Sequence, residues 1–159
     1  MLHILCGWGK GKTTSAVGMV ARMVGHGKSA MFAQFIKPPT SGEVESLKCL
    51  GVHCCHADDY TDSVSNAFLF SHIEQLTKSI GYDIIVLDEV LDAVEGGAIT
   101  EEDLVRLIVD LTLDGTEIVL TGHYLPSKKV LGLSDYINLI VSEKHPFENG
   151  VGPREGIEF

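Results

Sequence analysis

The run CGWGKGKTTS, residues 6–15, has the composition of a phosphate-binding loop. Gly7, Gly9 and Gly11 let the backbone turn its N–H groups inward, and a helix starting just after them adds partial positive charge. Lys10 and Lys12 bring cationic side chains to the same loop, and Trp8, Thr13 and Thr14 complete it. Gly11-Lys12-Thr13 supplies the second half of the G-x-x-x-x-G-K-[ST] pattern, while Cys6 stands where its first glycine would fall. In that pattern Lys12 neutralises phosphate oxygens and Thr13 offers its hydroxyl to Mg²⁺. A metal there needs carboxylates. The run DIIVLDEV, residues 83–90, ends an apolar stretch in Asp88-Glu89, which can hold Mg²⁺ directly or through water. The expected metal set is therefore Thr13, Asp88 and Glu89, and Lys12 and Glu89 are the expected catalytic residues.

Other reactive residue types fit bland roles better. His53-Cys54-Cys55-His56 resembles a ligand cluster, but on a strand only two of the four share a side, and structural zinc takes four ligands. They are expected to be ordinary strand residues. Glu101-Glu102-Asp103 reads as the acidic first turn of a helix capped by Thr100, and Lys128-Lys129 as surface charge. No Ser-His-Asp or Cys-His arrangement competes with the phosphate loop.

Positioning these groups requires strands that end near the loop. Strand-like runs occur at residues 2–6, 29–35, 52–56, 83–87, 117–121 and 137–141. Helix-like segments lie between them at 12–25, 43–50, 62–80, 100–113 and 127–133. Strands alternating with helices, the strands nearly all apolar, predict an α/β fold with a mainly parallel sheet covered by helices on both faces, as in P-loop NTPases. Residues 1–159 read as one nucleotide-binding domain. The tail after Glu143 is irregular. A net charge of −10 argues against nucleic-acid partners. No apolar run approaches the roughly 18 residues that span a bilayer. Met1-Leu2-His3 runs straight into a strand with no basic leader segment, so the expected location is cytoplasmic. The four cysteines lack CxxC spacing and are expected to be free thiols.

Taken in order, the motifs resemble the P-loop-type ATP:corrinoid adenosyltransferases over nearly the whole chain. GWGKGKTT at 7–14 is similar to that family's GNGKGKTT, with Trp8 in place of Asn. The family also lacks the first loop glycine. GHGK (25–28), QFIK (34–37), Gly42-Glu43, VLDE (86–89), Thr121-Gly122, KHPFENGV (144–151) and the final GIEF (156–159) follow in the family's order. The resemblance implies an enzyme that binds MgATP and lets a Co(I) corrinoid, cobalamin or cobinamide, attack the 5′-carbon with triphosphate leaving. Lys12, Mg²⁺ and loop N–H groups would stabilise the leaving oxygens. It also implies nucleotide contacts from Lys37, His123 and Lys144, a homodimer, and a flavoprotein reductant.

The chain departs from the pattern at the corrinoid half. Longer members carry an N-terminal extension and a GFTW-type segment; here the corresponding region reads HCCHADDYTDSVSNAFLF, residues 53–70. Tyr60, Phe68 and Phe70 are its aromatics, although Phe68 and Phe70 also suit the core side of a helix over 62–80. The family's TGRG arginine is His123. The alternatives are a nucleotide-binding regulatory protein and an NTPase or kinase. The kinase reading lacks an arginine-rich lid, since Arg22, Arg106 and Arg154 are the only arginines.

Overall fold

A computed structural model of the protein describes residues 1–38 and 40–157. Glu158 and Phe159, the end of the GIEF motif, lie outside the described residues. The strands are β1 (Leu2–Cys6), β2 (Ala30–Gln34), β3 (His53–His56), β4 (Ile84–Asp88), β5 (Glu117–Gly122) and β6 (Tyr136–Leu139). They form one sheet in the order β3-β2-β4-β5-β1-β6, with every pairing parallel. The helices are α1 (Lys12–Gly25), α2 (Gly42–Cys49), α3 (Ser63–Ser79), α4 (Val90–Glu95), α5 (Glu101–Leu113) and α6 (Lys128–Leu131), followed by a 3-10 turn at Pro146–Asn149.

Alternate residues of each inner strand feed two cores, as the two-residue strand period demands. Leu5, Phe32, Ile84, Val86 and Val119 pack under Ala16 and Val20 of α1 and Leu47 of α2. Ile4, Met31, Ile85, Leu87, Ile118 and Leu120 pack on the other face against α3, α4 and α5 through Leu69, Ile73, Leu91, Leu104 and Ile108. This is the expected doubly covered α/β sheet. β6 begins one residue and ends two residues earlier than expected, and its four residues are exposed at the edge of the sheet. α4 was not expected: six residues are too short to show a helical period. Phe70 is core, but Phe68 is 71% exposed, so the two do not share the core side of α3 as expected. Successive helical positions turn by about 100°, which puts residues two apart on different faces. No helix among the described residues is long and apolar enough to cross a membrane.

His53 and His56 are occupied by local partners, Tyr82 hydroxyl at 2.6 Å and the Ala57 carbonyl at 3.2 Å. Burial pushes the Cys55 thiol up to about 11, so it stays protonated.

At the sheet's opposite edge from the phosphate loop, Asp83 ties the start of β4 to the residues before β2. Its carboxylate accepts from the Ser29 N–H, the Ser29 hydroxyl and the Lys28 ammonium at 2.8, 2.9 and 3.0 Å. The Ser29 N–H, then Lys28 and the Ser29 hydroxyl, lower its pKa from 3.8 to about 2. A depressed carboxylate pKa stabilises the fold above its unfolded value, and the gain is lost as pH falls through the folded value. Asp83→Asn should therefore lower the urea midpoint at neutral pH, and the difference should shrink steadily between about pH 4 and about pH 2, where half of the wild-type groups are themselves protonated. Urea melts at both ends of that window check this.

Candidate active site

β1 ends at Cys6 and α1 begins at Lys12, so residues 7–11 turn back over the carboxyl edge of the sheet. Gly7 and Gly11 have φ of 110° and 116°, which side chains with a Cβ rarely adopt. A Cβ on Gly7 would also collide with the Ile140 carbonyl. The Gly9 N–H donates to that carbonyl at 2.8 Å, so the segment after β6 props the loop from outside. Inside it, the Lys12 ammonium donates to the Gly7 and Gly9 carbonyls at 2.7 and 3.2 Å. Cys6 is fully buried beneath; burial raises its thiol pKa against the pull of Lys12, which keeps it neutral.

α1 crosses the sheet above β4, and this sets its first turn over the acids that end that strand. Asp88 is fully buried and saturated with donors. One oxygen accepts from the Thr13 and Thr121 hydroxyls at 2.9 and 2.7 Å. The other accepts from the Lys37 ammonium at 2.9 Å and the Gln34 amide at 3.4 Å. Lys37 also donates to the Thr13 hydroxyl at 2.8 Å and lies 3.3 Å from Glu89 Oε1. Burial alone would depress the Lys37 ammonium, but the charges of Asp88 and Glu89 and hydrogen bonds to them hold it above its ordinary value. The residue before it, Ile36, has φ of 51°. For a β-branched residue that is a strained conformation. The Ile36 N–H is anchored on the Asn66 side chain of α3 at 3.1 Å, which holds the turn that aims Lys37.

Glu89 also sits in the left-handed region, at φ 61° and ψ 17°. Such strain costs about 1–3 kcal/mol and persists only when neighbours over-determine it. Here the Glu89 N–H donates to the Thr121 hydroxyl at 2.8 Å. The turn sends one carboxylate oxygen towards Lys37 and the other to within 3.4 Å of His123 Nδ1. Burial above all, then a hydrogen bond with Asp92 and the charges of Asp88 and Asp92, raise the Glu89 pKa, with Lys37 opposing.

Three oxygens therefore surround one cation between Thr13, Asp88 and Glu89, with the Lys37 nitrogen occupying the position. This is the hard-oxygen donor set that Mg²⁺ takes. The residues present fit such an ion, and the Lys37 ammonium lies among the same three oxygens.

A cavity of about 570 Å³ opens over these groups. It is lined by Trp8, Gly9, Lys10, Gly11, Lys12, Thr13 and Thr14 of the loop, and by Lys37, Glu89 and His123. Lys144 is exposed outside that lining, and the next residue, His145, takes the place at the wall. Gly156 and Ile157 form the far rim, where the Lys10 ammonium donates to the Ile157 carbonyl at 2.7 Å. Sequence reasoning missed Asp92, which lies in no motif, and met Gln34 only as the first residue of QFIK. Thr121 was legible only as part of Thr121-Gly122 and not as a ligand of Asp88.

The family model described as "ATP:corrinoid adenosyltransferase BtuR/CobO/CobP" matches residues 1–159. Among similar proteins, the corrinoid adenosyltransferase of Escherichia coli (strain K12) is 29% identical over 169 aligned residues, covering all of this chain and 85% of that protein. That of Salmonella typhimurium is likewise 29% identical with the same coverage, and that of Pseudomonas aeruginosa 27% identical, with 83% of its length covered. With a glycine loop, a buried acidic strand end and a full-length match to one family, the chain belongs to the ATP:corrinoid adenosyltransferases.

Proposed function

We propose that the chain, as one nucleotide-binding domain, transfers the 5′-deoxyadenosyl group of ATP to the Co(I) of a reduced corrinoid and releases intact triphosphate. In this step a Co–C bond forms, the C5′–O bond breaks, and the triphosphate oxygen leaves with the electron pair. The corrinoid is the nucleophile, so the protein's task is to hold the triphosphate and receive its growing charge. Lys12, buried at the centre of the loop, is the cation that supports this reading most directly. Loop N–H groups and the start of α1 add fixed dipoles. Thr13, Asp88 and Glu89 would hold Mg²⁺, which supplies further charge stabilisation of the leaving group when bound. Lys37 would then turn from Asp88 towards the phosphates.

Phe68 is the candidate for the lower face of the corrinoid. It is exposed on α3 and lines a second cavity of about 340 Å³ with His56, Val64 and His72. A separate flavoprotein reductant, a homodimer and a cytoplasmic location belong to the same reading. The exposed β6 edge, with Tyr136, Ile137 and Leu139, offers an apolar border for a second copy.

The deciding experiment supplies MgATP and chemically reduced cobalamin and follows both the absorbance change of Co–C bond formation and the phosphate product. Adenosylcobalamin with stoichiometric triphosphate is expected. ADP or orthophosphate without adenosylcorrinoid would favour an NTPase. In the same assay Phe68→Ala should slow adenosylation from Co(II)cobalamin plus reductant, while the rate with pre-reduced Co(I) stays near wild type. Equal rates in both would remove Phe68 from the corrinoid site.

A further inference from the structure

Glu89, Asp92 and His123 bring one ligand atom each to within 4.8 Å of one another. We infer that they form a second divalent-metal site, for a transition ion such as Zn²⁺ or Co²⁺, separate from the Mg²⁺ position and sharing only the Glu89 carboxylate with it. This inference needs neither nucleotide nor corrinoid and so stands apart from the proposed reaction.

The spacing carries it. His123 Nδ1 lies 3.0 Å from Asp92 Oδ1 and 3.4 Å from Glu89 Oε2. Ligands at about 2.0–2.1 Å from a tetrahedral zinc ion are separated by about 3.4 Å. Both distances from the imidazole nitrogen therefore match such a site to within a few tenths of an ångström, and the two carboxylate oxygens lie within 4.8 Å of each other. The donor set differs from the first site, since an imidazole nitrogen with two carboxylates suits zinc, cobalt and other transition ions better than Mg²⁺.

All three groups are held by the fold. Glu89 is fixed by its left-handed turn at the N-cap of α4, and Asp92 stands in the first turn of that helix. The other Asp92 oxygen accepts from the His123 N–H at 2.9 Å, which orients the carboxylate by its second oxygen. Gly122 permits that approach, because a Cβ there would lie 2.5 Å from Asp92 Oδ2. Glu89 is buried and the other two half-buried. Two carboxylates in contact at low dielectric repel unless a proton or a cation lies between them. Glu89 Oε1 faces Lys37 while Oε2 faces His123, so one carboxylate can bridge two cations. Three protein ligands leave a coordination position open, the arrangement of a site that takes a further ligand. Glu89 and His123 also line the main cavity, where a phosphate oxygen has the matching chemistry.

Trp8 supplies an internal reporter. It is the only tryptophan, and its ring lies against the His123 ring with centroids 4.7 Å apart. The test is to titrate Co²⁺ alone into the full chain, following Trp8 fluorescence and the visible ligand-field bands, and to repeat with Zn²⁺ in competition. Saturable one-to-one quenching, with bands typical of nitrogen and oxygen ligation and reversal by Zn²⁺ but not by equimolar Mg²⁺, is expected. Asp92→Asn and His123→Ala should each weaken Co²⁺ affinity at least about tenfold. Thermal melts of both variants establish that they are folded. No saturable Co²⁺ binding by the wild-type chain overturns the inference whatever the variants do. Binding that survives both substitutions overturns it as well, because the ion is then held elsewhere.

Discussion

Lys12→Ala is expected to lower turnover by about 10²- to 10³-fold, the scale seen when one preorganised donor to a developing anion is removed. Its ammonium is buried and bound to the Gly7 and Gly9 carbonyls, so it is already fixed where the loop closes. Neither neighbouring lysine takes its place inside the loop: Lys10 is turned to the Ile157 carbonyl, and Lys37 stands outside the loop on Asp88. ATP affinity should fall together with turnover, because the lysine meets triphosphate in the ground state as well as in the transition state. Calorimetry of ATP binding, beside single-turnover adenosylation of pre-reduced corrinoid, separates the two effects. Wild-type ATP affinity in the alanine variant would refute the loop assignment.

Asp88→Asn should cost both stability and metal dependence. The carboxylate accepts from two hydroxyls on one oxygen and from Lys37 and Gln34 on the other. Asparagine has one acceptor oxygen and a donating amide. Turned to Lys37 and Gln34, the amide sets a donor against donors; turned to the Thr13 and Thr121 hydroxyls, it makes both reverse their bonds and accept. It also removes a charge that opposes a largely sequestered ammonium. Leaving one member of a buried pair unmatched costs about 3–5 kcal/mol. Lys37 retains some exposure and keeps the Glu89 carboxylate at 3.3 Å, so the loss is expected at or below the low end, about 3 kcal/mol. Urea unfolding measures that loss. The Mg²⁺ dependence of ATP binding measures the other effect and should become nearly flat. A variant with wild-type stability would refute the buried-charge account. One with an unaltered Mg²⁺ response would remove Asp88 from the metal set.

Much of this molecule is legible in order along the chain. The glycine spacing of residues 7–11 and the lysine after it declare a phosphate loop, because few other uses need three alternate glycines between a strand and a helix. The apolar run ending in Asp88-Glu89 declares a buried strand delivering acids to the same edge. The Thr100 cap predicts the start of α5, and its hydroxyl indeed accepts from the Asp103 N–H at 3.1 Å. These are local signals: each depends on a few neighbouring residues, which a sequence displays directly.

Sequence alone thus determined the α/β class, the phosphate loop, the acidic strand end and the family. Only the tertiary structure decided which side chains share a cation and which do not. It brought Thr121 of β5 and Lys37 after β2 onto Asp88, it separated exposed Phe68 from core Phe70, and it put His145 rather than Lys144 at the cavity wall. It also closed Asp92 on His123 across 31 positions of chain. The physical reason is that strand order in a parallel sheet is set by crossover packing and not by sequence order. β1 lies between β5 and β6, and β4 between β2 and β5, so the residues at their carboxyl ends meet at distances that no spacing along the chain encodes.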